Sequence, residues 1–178
     1  RIVSKSNREG FYRYPRVDMK MLREYGEDIV ISGACIGGVS AGIVFEEFAD
    51  TPQDQLSVDL LDDPIKMANI QRKIKNHYDE LAEAVGQENV FLELQFNKLT
   101  AQHMVNRALI EFAKNSKYKL VSTADSHYNK PTLWRERELY KLIGRQMRGS
   151  KDGLNPSSLP QNISELKCEL YPKNAEQM

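Results

Sequence analysis

Three short apolar runs, each followed by residues with helical periodicity, constrain this 178-residue chain more than any other feature. The runs are Asp28 to Gly33, Asn89 to Phe96 and Lys119 to Ala124. Strand and helix signals that alternate in this way predict an α/β fold, with parallel strands and helices outside them. Three such units are too few to close a barrel by themselves.

The first run leads through Ala34-Cys35-Ile36-Gly37-Gly38 into an apolar helix over roughly 41–49. A strand, a glycine turn and a helix suggest a phosphate cradle. The glycines do not fit G-x-G-x-x-G, however, and no Lys-Ser/Thr pair follows. A cysteine phosphatase would need an Arg six residues after its nucleophile, and position 41 is Ala. Cys35 therefore reads as a metal ligand or as a small core residue.

Residues 50–64 are acidic and proline-bounded, which predicts a surface loop with a short helical turn. Met67, Ile70, Ile74, Tyr78, Leu81 and Val85 then recur at three- and four-residue steps, the stripe of a long helix that Gly86 ends. His77 lies beside that stripe, as a packed or solvated residue.

In the second run Val90, Leu92 and Leu94 share one face, and Phe91, Glu93 and Gln95 share the other. A carboxylate at Glu93 requires a partner. It lines a polar barrel mouth, or it faces solvent or an Arg. Thr100 is the expected cap of the next helix, with Met104, Ala108 and Phe112 on one stripe and His103 exposed.

The third run reads as a short buried strand that ends in Asp125-Ser126-His127. In extended backbone, residues i and i+2 point the same way, so a carboxylate and an imidazole would project together from the strand's C-terminal end. Open α/β sheets and barrels place their chemistry there. The alternative is a turn in which Asp125 hydrogen-bonds its own backbone. Cys35 follows a strand in the same way, so a parallel sheet would carry all three residues to one rim. Thr132 is the expected cap of a helix over 133–147 with Leu139, Leu142, Ile143 and Met147 on its apolar face.

At the N-terminus, Arg1, Lys5, Arg8, Arg13 and Arg16 interleave with Phe11, Tyr12 and Tyr14. Gly10 and Pro15 punctuate the stretch as a connecting loop whose aromatics tuck under the core. The same composition suits a single-strand-binding surface, with Arg13 and Arg16 as nucleic-acid contacts. Asp18 caps a short helix over 19–25 that ends near Gly26. Toward the C-terminus, Arg145, Arg148 and Lys151 form a basic cluster ahead of a linker over 149–162. Residues 163–171 read as an edge strand with Cys168 structural, and 174–178 as the start of a helix.

Lys plus Arg and Asp plus Glu both number 25, so global charge points to no acidic partner. Two distant cysteines, Cys35 and Cys168, fit a reduced, cytoplasmic setting without a disulfide. No apolar run approaches the length of a membrane span. The chain opens at Arg1 rather than Met, which predicts a piece of a larger protein.

Four stretches carry a family resemblance: Glu9 to Asp18, Ile31 to Gly37, Val90 to Gln95 and Val121 to Tyr128. With Glu169 to Met178, their order and wording resemble the polymerase-and-histidinol-phosphatase (PHP) domain of bacterial C-family DNA polymerases, the DNA polymerase III alpha subunits. The match is to the C-terminal part of that domain. The wording around Trp134 and Arg135 is similar to phage-type members.

The resemblance implies part of a (β/α)7-type PHP barrel over 1–148, a linker over 149–162, and, over 163–178, the start of a segment leading to the polymerase palm. It implies a barrel mouth with up to three metal ions, Zn²⁺ or Mn²⁺, in which Cys35, Asp125 and His127 are ligands and Glu93 supports them from behind. Asp125 and His127 would be its catalytic pair for phosphoester hydrolysis, in the form of 3′–5′ exonuclease proofreading. The family's earlier ligands, which begin with a His-x-His motif, would precede Arg1. The isolated fragment is then expected to bind metal weakly and to be inactive. The polymerase's own carboxylates and their Mg²⁺ would lie beyond Met178. The implied partners are primer–template DNA, a sliding clamp and a proofreading subunit. A metal-free scaffold for the polymerase is the competing expectation.

Overall fold

The computed structural model describes residues 1–147 and 159–177. Nine elements organise it: α1 (Ile2–Arg8), α2 (Met19–Tyr25), β1 (Ile31–Ser32), α3 (Val39–Glu46), α4 (Pro64–Val85), β2 (Val90–Gln95), α5 (Thr100–Lys114), β3 (Lys119–Thr123) and α6 (Trp134–Met147). The strands form one parallel sheet in the order β1-β2-β3, with Ser32 opposite Phe91 and Glu93 opposite Val121. This is an α/β fold with helices around a parallel sheet, as part of a PHP barrel requires.

The centre of the sheet is covered best. Val90 and Leu92 are almost fully buried with Ile70, Ile74 and Tyr78 of α4 and Met104, Ala108 and Leu109 of α5. The long stripe read from the sequence is thus the buried face of α4. Each such Val, Leu, Ile or Met side chain contributes about 1.5–3 kcal/mol on leaving water. Asp63 starts α4 by accepting from the amides of Ile65 and Lys66, and Gly86 ends it at φ 89°, where a side chain would be strained. Asp18 caps α2 by accepting from Met21 N–H.

Helix direction fixes which loops share an end. Val85 closes α4, and residues 87–89 turn straight into β2, so α4 ends where the strands begin. Gly26 closes α2 against this point, since a Cβ on it would lie 2.6 Å from Val85 Cγ1.

Several expectations are corrected. Residues 2–8 form a helix, α1, that buries only Ser6. The aromatics after it do not tuck under the core: Phe11, Tyr12 and Tyr14 are 59%, 65% and 76% exposed. β1 shrinks to two residues, because Asp28 turns at φ 66° and Val30 faces out. β3 is not buried, since it is an edge strand and Leu120 is 42% exposed. Thr100 is the first residue of α5 and not its cap; the amide of Leu99 is satisfied by Asn97 Oδ1 instead. Thr132 lies inside the 3-10 turn Pro131–Leu133 that precedes α6.

Residues 163–171 form no strand. They make a 3-10 turn, Ile163–Glu165, and then an irregular segment whose carbonyls serve neighbouring loops. Lys167 O accepts from Lys98 N–H after β2, and Leu170 O accepts from His127 and Tyr128 N–H after β3. Residues 174–177 make a turn closed by Gln177 N–H on Asn174 O. Arg148, Lys151, most of the expected linker and Met178 lie outside the described residues.

Candidate metal centre

The parallel order puts the loops after β1 and β3 at one rim, on either side of β2. Cys35 belongs to the first loop, and Asp125 and His127 to the second. Two strand spacings separate β1 from β3, roughly 10 Å. Sharing a rim is therefore not the same as meeting. Among the described residues, no three His, Cys, Asp or Glu side chains are grouped closely enough to hold a metal ion.

The Cys35 loop is a tight turn. Ala34 adopts φ 59°, Gly38 N–H donates to Cys35 O at 2.7 Å, and Gly37 N–H lies 3.5 Å from Cys35 Sγ. Gly33 is required just before it, since a Cβ there would fall 2.6 Å from the Tyr78 hydroxyl. The half-buried thiol is free.

The Asp125 loop departs from the extended backbone expected for it. Asp125 sits at φ 46°, a left-handed conformation that Asp tolerates better than most residues. The turn folds the His127 ring back, with Nδ1 2.7 Å from Asp125 O and 4.0 Å from Asp125 Oδ1. A carbonyl only accepts, so Nδ1 carries the proton, and a neutral ring then presents the Nε2 lone pair. Histidines that bind metal are oriented in this way by a partner behind the ring. The Asp125 and His127 side chains remain 34% and 39% exposed, open to a ligand. Thiol, carboxylate and imidazole are together a donor set suited to Zn²⁺ or Mn²⁺.

Glu93 lies between the two loops and is buried, at 6% exposure. Its partners are neither solvent nor an Arg. Oε2 accepts from Ser32 Oγ of β1 and from Ala34 N–H at 2.9 Å; Oε1 accepts from Thr123 Oγ1 of β3 and from Gln95 Nε2 at 3.1 Å. Burial pushes its pKa up, but these four donors outweigh burial and hold the carboxyl below its ordinary range. One carboxylate thus links all three strands just behind the rim. Sequence reasoning singled out Glu93 but missed Ser32 and Thr123, which flank it only once the strands are paired.

Arg13 and Arg16 are far from Cys35 in sequence and join a separate feature. Their guanidinium carbons lie 6.0 and 5.1 Å from the centre of the Tyr12 ring. Cys168 lines a cavity of about 350 Å³ with Tyr128, Glu138, Lys141 and Leu170, where burial pushes its thiol pKa up. No helix among the described residues is long and apolar enough to cross a membrane.

Comparison with known proteins adds to this geometry. A family model described as the PHP domain matches residues 1–97. The DNA polymerase III subunit alpha of Aquifex aeolicus is 32% identical over 124 residues, which cover 70% of this chain and 9% of that protein. The subunit of the same name from Thermus aquaticus is 25% identical over 178 residues, 100% of this chain and 12% of that protein. That from Borreliella burgdorferi is 25% identical over 174 residues, 96% of this chain and 13% of that protein. The chain therefore spans about a tenth of the length of these relatives.

Proposed function

Because the chain belongs to the PHP domain family, we propose that it is part of a DNA-directed DNA polymerase of the DNA polymerase III alpha type, acting in DNA replication. The observation that carries this reading is similarity to the Thermus aquaticus subunit along the full chain. In this reading residues 1–148 form one side of the PHP barrel, 149–162 are a linker, and 163–178 lead toward the polymerase palm and its Mg²⁺. Primer–template DNA, a sliding clamp, a proofreading subunit and a cytoplasmic setting follow from the same assignment.

Within that protein, Cys35, Asp125 and His127 contribute ligands to a Zn²⁺ or Mn²⁺ site that further residues of the protein complete. Bound there, such an ion polarises a phosphoryl oxygen and lowers the pKa of water, the chemistry of phosphoester hydrolysis and of a 3′–5′ exonuclease. The chain's own contribution is positional. The Asp125 carbonyl fixes the His127 tautomer, the Asp125 carboxylate stays exposed beside the ring, and Glu93 holds the two loops in place from behind.

The test uses the full-length protein on a primer–template with a mismatched 3′ end and added Mn²⁺ or Zn²⁺. Asp125→Asn should abolish primer-end removal while primer extension persists. Undiminished exonuclease in that variant refutes the assignment. The competing reading is a PHP scaffold for the polymerase. On that reading neither the parent nor the variant degrades primer ends, and Asp125→Asn changes stability alone.

A further inference from the structure

The segment Gly10 to Arg16 is a closed, outward-facing loop that the metal site does not use. Arg16 N–H donates to Gly10 O at 3.2 Å, and Arg16 Nε reaches the same oxygen at 3.4 Å. Tyr12 N–H donates to Tyr14 O at 3.1 Å, which forms a small antiparallel bridge with Arg13 at its tip at φ 64°. The loop holds its shape through its own backbone, yet its three rings are more than half exposed. Rings so presented, and adjacent, mark a contact surface rather than a stray surface residue.

Charge says what kind of contact. Residues 10–16 contain two Arg and no Asp or Glu, in a chain whose charges balance overall. Both guanidinium groups lie beside the Tyr12 ring, so cations and π-faces form one patch.

We propose that this loop binds single-stranded DNA. Phe11, Tyr12 and Tyr14 stack on bases, and Arg13 and Arg16 follow phosphates. Stacking on rings is indifferent to sequence, and unpaired bases alone offer their faces, so the surface selects single strands over duplex. The inference rests on the polymerase reading only for the choice of DNA.

The experiment needs neither metal nor turnover. Full-length protein in EDTA is titrated with a fluorescein-labelled oligothymidylate of about a dozen nucleotides and crosslinked to it by ultraviolet light. Adducts should map to the peptide containing Phe11 to Tyr14. Tyr12→Ser with Tyr14→Ser should weaken binding by about tenfold or more and abolish those adducts, whereas Tyr14→Phe should preserve both. Arg13→Gln with Arg16→Gln should flatten the slope of log affinity against log salt by about 1.4. Unchanged affinity with no adduct in the loop overturns the proposal. A lower melting temperature at unchanged affinity also overturns it, and makes the loop a packing surface for another part of the protein. Should Asp125→Asn retain exonuclease, the hydrolytic reading fails while this binding result stands by itself.

Discussion

The backbone amide of His127 donates to the carbonyl of Leu170 at 2.7 Å, and that of Tyr128 reaches the same oxygen at 3.2 Å. One acceptor from the C-terminal segment thus fixes the loop that presents the candidate ligand. Tyr171, 8% exposed, seats the segment with its ring 6.0 Å from that of Tyr128.

Tyr171→Ala should release this clamp. Loss of a buried aromatic costs about 3–5 kcal/mol where its packing is lost. Hydrogen exchange at the His127 and Tyr128 amides should accelerate by about tenfold or more, while Ile74 and Leu92 amides keep their protection. Unaltered exchange at His127 would show that the segment does not hold the loop.

Glu93→Gln should destabilise the fold by about 1–3 kcal/mol. An amide nitrogen would replace one of two oxygens that each now face one hydroxyl and one N–H donor, and the backbone N–H of Ala34 cannot reverse. The effect also has a pH signature. The native carboxyl is held below its ordinary value of 4.5, so the unfolded chain takes up a proton first as pH falls. Glu93 therefore stabilises fully above the ordinary value, and this stabilisation is lost as pH drops through the lower native one. Denaturant titrations across acid pH should show a flatter acid limb in the variant.

Gly33→Ala should be destabilising by about 1–3 kcal/mol, because its methyl meets the Tyr78 hydroxyl. Tyr78→Phe alone loses the 3.1 Å bond with Ser40 Oγ, about 1 kcal/mol. Together the two changes should cost less than their sum, since removal of the hydroxyl makes room for the methyl. A double-mutant cycle that gives strict additivity would refute the contact.

His77 packs edge-on against Tyr78 at 5.5 Å, and burial, opposed by Glu80, pushes its pKa below the usual 6.5. The unfolded chain protonates first, so this site withdraws stability as pH falls through 6.5 toward the lower native value. Compared with His77→Gln, the parent should lose more melting temperature between about pH 7 and pH 5.5. Parallel curves would show that His77 is solvated.

These sites differ in how far the sequence reveals them. The α4 stripe is legible because one buried face imposes a period of 3.6 residues on the chain itself. Asp18 and its helix are legible because a cap acts over three residues. The exposure of β3 is not, since it depends on what covers the sheet's edge rather than on Leu120 or Val121. The stretch 163–171 has the alternation of a strand, but its carbonyls are taken by Lys98, His127 and Tyr128, partners about 40–70 residues away. At the rim, the residue types of Cys35, Asp125 and His127 are visible in the sequence. The left-handed turn at Asp125 and the strand width between the two loops are not.

Parallel ribbons can slide along one another, and a slip of one residue would turn every inward side chain outward. Glu93 opposes this on both sides at once, because its two oxygens find Ser32 and Thr123 only when both outer ribbons are aligned to the centre. A slip at either edge would leave a buried negative charge short of donors. The acidic side chain thus proofreads the assembly of the sheet.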